Sequence, residues 1–148
     1  MNTYNRYKLK KSENGFLPIE LNGEKADHFF APDTKAGPKI YVVKNDRDIC
    51  YVGMTSQSIS SRLSYGYKTE GNNGYHGYKW KDKIDQADLL IWTFTEDTNV
   101  ESIEAELVYF IRGRTGKWPK YQMEIHFHHG SSEKEIQVAR LILSELLD

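Results

Sequence analysis

Lys39-Ile40-Tyr41-Val42-Val43-Lys44-Asn45-Asp46-Arg47-Asp48-Ile49-Cys50-Tyr51-Val52-Gly53 decides the fold. Ile40, Val42, Ile49 and Val52 are β-branched strand formers and the polar run between them has turn composition, so residues 39–53 are expected to form a β-hairpin. In the first strand Ile40 and Val42 face one way and Tyr41 and Val43 the other. Whether Tyr41 and Tyr51 share a face depends on the parity of the loop. An odd loop such as Asp46-Arg47-Asp48 puts them together, and a two-residue loop puts them on opposite faces.

Beyond the hairpin, a helix is expected from Ser56 or Gln57, with Ile59 and Leu63 as its buried edge and Arg62 on the border. It stops near Tyr65-Gly66-Tyr67. Gly71 to Tyr78 has turn chemistry and places His76 between tyrosines before Lys79-Trp80-Lys81. Aromatics interleaved with Lys79, Lys81 and Lys83 suit base stacking and backbone contact, and equally an anchored loop with solvated lysines. A short helix over Lys79–Ile84 precedes Leu89 to Phe94, the clearest central strand. Thr98-x-x-Glu101 reads as a capping box, opening a helix whose stripe is Val100, Ile103, Leu107, Phe110 and Ile111 and which runs to Arg112. Met123 to His129 alternates as a weak strand, and Ser132-x-x-Glu135 caps a final amphipathic helix.

The other direction from the hairpin is less legible. Residues 1–37 read as an N-terminal arm packed on the domain, with a short helix near Gly23 to Phe30, ahead of a 38–130 core and a 131–148 C-terminal helix. The chain of 148 residues suits one domain. Its 28% charged and 39% hydrophobic content is ordinary for a soluble protein. No apolar run is long enough to span a membrane, and the first residues lack an apolar signal region, so the cytoplasm is the expected compartment. Cys50 is the sole cysteine, which excludes an intramolecular disulfide and a cysteine zinc cage. A net charge of −1 is not what a nucleic-acid-binding domain usually shows, although lysines cluster at Lys8 to Lys11 and at Lys79 to Lys83.

The order "KIY" strand (Lys39-Ile40-Tyr41), "YVG" strand (Tyr51-Val52-Gly53) and helical Arg62 resembles the catalytic module of the GIY-YIG nucleases. Lys39 stands where that family has glycine. Arg62-Leu63-Ser64-Tyr65 is similar to the segment after the arginine in its excision-repair members, and Gly66 occupies the position where restriction-type members often carry His or Tyr. The resemblance covers residues 38–122. It implies an α/β (α+β) fold with a small antiparallel sheet flanked by helices. It further implies a metal-dependent DNA endonuclease using Mg2+ or Mn2+: Tyr41 as general base, Tyr51 sharing the site, Arg62 on the phosphate and a glutamate on a later helix as sole metal ligand. Glu101 is taken up by the cap, and periodicity does not separate Glu104 from Glu106. The family places its glutamate closer before a Pro-x-aromatic-Asn segment than either stands before Pro119-Lys120-Tyr121-Gln122, so an insertion such as Gly113 to Gly116 is needed. Glu106 needs the smaller one and also has the Ala-Glu context of restriction-type members, which makes it the expected ligand, with Gln122 in place of the asparagine.

The expected site is therefore Tyr41, Tyr51, Arg62, Glu106 and Gln122, with Tyr65, His76, Lys79, Lys81 and Lys83 toward DNA. The restriction branch is the expected home, and a homodimer follows from the way many such enzymes cut both strands. The rivals are a repair, phage or mobile-element nuclease, a non-catalytic nucleic-acid-binding module that keeps the fold, and a metal protein built on His126, His128 and His129.

Overall fold

A computed structural model describes residues 4–13, 15–69, 78–122, 125 and 130–147. The strands are β1 (Tyr4–Ser12), β2 (Gly15–Leu21), β3 (Glu24–Lys25), β4 (Lys39–Asn45), β5 (Asp48–Thr55) and β6 (Gln86–Thr93). The helices are α1 (Ile59–Lys68), α2 (Val100–Thr115) and α3 (Glu133–Leu147), with a short 3-10 turn at Lys79–Asp82 where a helix to Ile84 was expected. One antiparallel sheet runs in the order β3-β2-β1-β6-β4-β5, so the α+β expectation of a sheet flanked by helices holds.

The hairpin is β4–β5, and it reaches the expected geometry by a different route. Asn45 pairs with Asp48, so the loop is the two-residue Asp46-Arg47, with Asp46 at φ 54°. Such a loop alone would send Tyr41 and Tyr51 to opposite faces. The register then shifts, because Lys44 pairs with Ile49 while Val43 pairs with Tyr51. Cys50 is the extra residue of a β-bulge, and the bulge reverses the parity. Cys50 and Tyr51 both lie with Tyr41 and Val43 on one face, while Ile49 and Val52 lie on the other.

The N-terminal segment is not an arm. β1 lies between β2 and β6, pairing Tyr7 with Leu89, and Tyr7, Leu9 and Phe16 join the core. No helix forms near Gly23. Instead Asn22 (φ 50°) and Gly23 (φ 89°) make a two-residue turn between Leu21 and Glu24, where two positive φ values match the twist of the strands. Asp33 then fastens the chain back onto β1, accepting from Tyr7 Oη at 2.6 Å and Asn5 Nδ2 at 2.8 Å.

Both faces of the central strands are covered. Tyr7, Tyr41, Val43, Leu89 and Ile91 pack against Ile59 and Leu63 of α1 and against Trp80. Ile40, Val42, Leu90 and Trp92 pack against Ile103, Leu107 and Ile111 of α2 and Ala139, Ile142 and Leu146 of α3. Ser58 caps α1, accepting from Ser61 N at 3.2 Å. The cap of α2 is Asn99, which accepts from Ser102 N at 3.2 Å, and not Thr98, whose hydroxyl pairs with Thr95. α2 runs past Arg112 to Thr115 and ends on left-handed Gly116 (φ 80°). At the start of α3 Ser132 donates from both its N and its Oγ to the Glu135 carboxylate, which is the glutamate half of the expected capping box. Among the described residues no helix is long and apolar enough to cross a membrane.

Candidate active site

Three tyrosines meet on the α1 face of the sheet. Ring centroids are 6.0 Å apart for Tyr41 and Tyr51, 5.3 Å for Tyr51 and Tyr78, and 6.4 Å for Tyr41 and Tyr78. The Tyr41 and Tyr78 hydroxyls are hydrogen-bonded at 2.7 Å. Arg62 closes the group, with its Cζ 4.9 Å from the Tyr78 ring centroid and 6.0 Å from that of Tyr65. A guanidinium over an aromatic face is held by the ring quadrupole while its edge stays directed to an anion.

Two glycines make this packing possible. Tyr41 lies across its cross-strand partner Gly53, where a Cβ would come 2.4 Å from Tyr41 Cζ. Tyr78 lies on Gly66 of α1, where a Cβ would come 2.2 Å from Tyr78 Cε2. Tyr78 N also donates to Gly66 O at 3.0 Å. Tyr78 is thus a site residue that the sequence reading passed over as part of a loop. The available signal was Gly66 itself. A glycine inside a helix costs about 1 kcal/mol relative to alanine and commonly has a packing reason.

The chemistry of the group is set by burial. Tyr41 is fully buried, and burial first, then the neighbouring Tyr78 and Tyr51 hydroxyls, hold its phenol well above the usual tyrosine range, while Arg62 pulls it down. Tyr51 is half-buried and Tyr65 is exposed, so these are the tyrosines that solvent reaches.

Lys39 has a structural post. Its ammonium is buried at the end of β4 and donates to the carbonyls of Lys35, Gly37 and Gln57, the last two at 2.9 Å. Burial holds it below the usual lysine range, with Asp33 and then Glu96 opposing. It ties the strand of Tyr41 to the loop that opens the helix of Arg62.

Other expected site residues are placed elsewhere. Gln122 gives both ends of its amide to the outer edge of β5, accepting from Val52 N at 2.9 Å and donating to Val52 O at 3.0 Å. With Lys120 N on Ile49 O and Tyr121 N on Cys50 O, it covers that edge, which makes it a scaffold residue. Lys81 donates to Tyr67 O at 2.9 Å and Thr69 O at 2.7 Å, neutralising the C-terminal end of α1, which leaves Lys79 and Lys83 exposed. His76 and the strand expected over Met123–His129, with His126, His128 and His129, fall outside the described residues except for Ile125.

α2, which carries both Glu104 and Glu106, is not on the sheet face of the tyrosines. α2 packs on the opposite face of the sheet, over β4 and the edge strand β5. Glu106 is one turn before Phe110, whose ring lies 4.8 Å from Arg140 Cζ of α3, and so is turned toward α3. Glu104 lies about 200° round the helix from it. It is 7% exposed and one turn before buried Val108, within the stripe that faces the sheet. Of the two carboxylates it is the more deeply buried. Among the described residues no three His, Cys, Asp or Glu side chains cluster as a metal cage. No family model, curated protein or solved structure matches the chain.

Proposed function

We propose that the chain is a metal-dependent DNA endonuclease of the GIY-YIG type. The observation that carries this is the convergence of Tyr41 and Tyr51, from adjacent strands, with Arg62 from the following helix, in spite of a two-residue loop that would separate the tyrosines without the Cys50 bulge. In this reading Arg62 neutralises the phosphate, and a cation there is worth most when charge grows in the transition state. Tyr51 orients the attacking water from its half-exposed position, and Tyr41 and Tyr78 fix that ring and the guanidinium. Glu104, in place of Glu106, is the carboxylate for Mg2+ or Mn2+, ions that take oxygen ligands and retain waters. When bound, the metal supplies Lewis-acid stabilisation of the phosphoryl oxygens. The restriction branch remains our preferred home, with Tyr78 lying on Gly66 and so filling the position of the missing His or Tyr.

The test is nicking of supercoiled plasmid. Cutting with Mg2+, none in EDTA, and a loss of roughly 10²-fold or more in Arg62→Ala are expected. Near-normal cutting by that variant would sink the assignment. A second reading, a DNA-binding module that keeps the fold without catalysis, is favoured by one observation: Tyr41 is sealed from solvent and its phenol is hard to deprotonate. DNA binding with no metal-dependent nicking would select it.

A further inference from the structure

We propose that a cationic groove at the turn end of the β4–β5 hairpin holds the phosphate backbone of the DNA, with a base stacked on Trp118. This rests on the nuclease reading above. The groove has a volume of about 360 Å3 and an apolar floor of Ile49, Ile111 and Leu147. Arg47, Lys117 and Lys120 line it, all exposed, and among the described residues the carboxylate in the lining is Asp48, which lies 3.5 Å from Lys120 Nζ. Such a concentration of positive charge runs against the composition of a chain whose net charge is −1. Cations gathered this way suit phosphates, whose counterions they displace.

Trp118 distinguishes this groove from a merely solvated basic face. It is 39% exposed, yet its ring is fixed by Tyr109 edge-on at 5.3 Å and by Arg112, whose Cζ lies 5.8 Å from its centroid. Arg112 also bonds Gly116 O, which offsets the negative end of α2 beside the groove. An immobilised, exposed indole among cations is the arrangement that single-strand binders use for base stacking. An acidic peptide would satisfy the cations and leave the indole unused.

The groove's floor lies on the α2 face of the sheet, through Ile49 and Ile111, and its rim reaches the outer edge of β5. Its lower lip, Lys120-Tyr121-Gln122, runs along the outer edge of β5 from Ile49 to Val52 and so passes Tyr51.

The experiment measures binding of a labelled duplex and of labelled oligothymidine to the full chain in EDTA, across a salt series, beside plasmid nicking by the same preparations. Arg47→Ala/Lys117→Ala/Lys120→Ala should lower the slope of log K against log salt by about 0.9 for each duplex phosphate that is no longer neutralised. Trp118→Ala should weaken oligothymidine binding by roughly 5-fold or more, and Lys117→Glu alone should weaken both ligands, should the triple variant fold poorly. Unchanged slopes, or polyglutamate competing as well as DNA of equal charge, would overturn the proposal. If the wild type nicks and groove variants bind normally, the groove fails and the nuclease stands. If it never nicks but groove variants bind DNA more weakly, the nuclease fails and the groove stands.

Discussion

Side-chain volume at single positions carries much of this site. Gly66→Ala adds one carbon where Tyr78 already lies, 2.2 Å from Cε2, and the obstructing atoms belong to a buried ring held by its own backbone bond to Gly66 O. A substitution that normally favours a helix should here lower stability by roughly 1–3 kcal/mol, the usual cost of overpacking. A thermal melt checks this, and a rise in Tm would show that Tyr78 is not seated there. Lys39→Met removes an ammonium but leaves the carbonyls of Lys35, Gly37 and Gln57 in place. Unsatisfied buried acceptors cost about 1–3 kcal/mol each, so a drop in Tm is expected even though a buried charge has been deleted. No drop would mean that water replaces the ammonium without loss. Neither glycine nor lysine announces its role in the sequence. A close approach and a carbonyl nest are made by residues far apart along the chain, and only the departure of Lys39 from the expected glycine and the position of Gly66 inside a helix hint at them.

At the level of elements, the hairpin and α2 show what pattern reading can reach. Ile40, Val42, Ile49 and Val52 mark the two strands, because β-branched alternation is local. The loop length is not legible in the same way, because a bulge and a two-residue turn give the same parity as an odd loop. Deleting Cys50 should remove the bulge and leave Tyr51 opposite Val43, on the face of Tyr41, because Ile49 already pairs with Lys44. The expected result is a folded protein that keeps metal-dependent nicking, and a folded variant without nicking would show that the bulge does more than set which face Tyr51 takes. On α2 the apolar stripe is plain in the sequence, but it brackets Glu104 and Glu106 alike. Only packing against α3, through Phe110 and Arg140, assigns them to different sides. Glu104→Gln should abolish metal-dependent cutting while leaving DNA binding intact, and Glu106→Gln should be nearly silent. The reverse pair of phenotypes, read from nicking at several Mg2+ concentrations, would return the metal to Glu106.

Across the whole molecule, the first 25 residues decide whether the core is closed. In the sequence, Lys8, Lys10 and Lys11 have the look of a basic cluster. Lys8 and Lys10 are exposed outward positions of β1 that alternate with the buried Tyr7 and Leu9, and Lys11 beyond them is partly buried. The alternation is present but weak, because β1 shows a lysine face to solvent and has an irregular register opposite Leu9. β6 pairs with β1 on one side and β4 on the other, and Tyr7, Leu9 and Phe16 pack in the same cluster as Tyr41, Trp80 and Leu89. An arm could be trimmed at little cost, whereas an inner strand could not. A fragment beginning at residue 26 would leave the β6 edge unpaired and strip Trp80 of Phe16, whose centroids are 5.0 Å apart. It would also remove Tyr7 from Asp33, leaving a buried carboxylate without its hydroxyl donor. Losing the buried Tyr7, Leu9 and Phe16 at roughly 1.5–3 kcal/mol each, together with the pairing of β6, is comparable to the 5–15 kcal/mol by which a domain is stable. The fragment is therefore expected to lack a cooperative thermal transition and to aggregate through the open β6 edge. A fragment that melts cooperatively near the temperature of the full chain would show that residues 38–147 are a complete core and that β1–β3 are an addition to it.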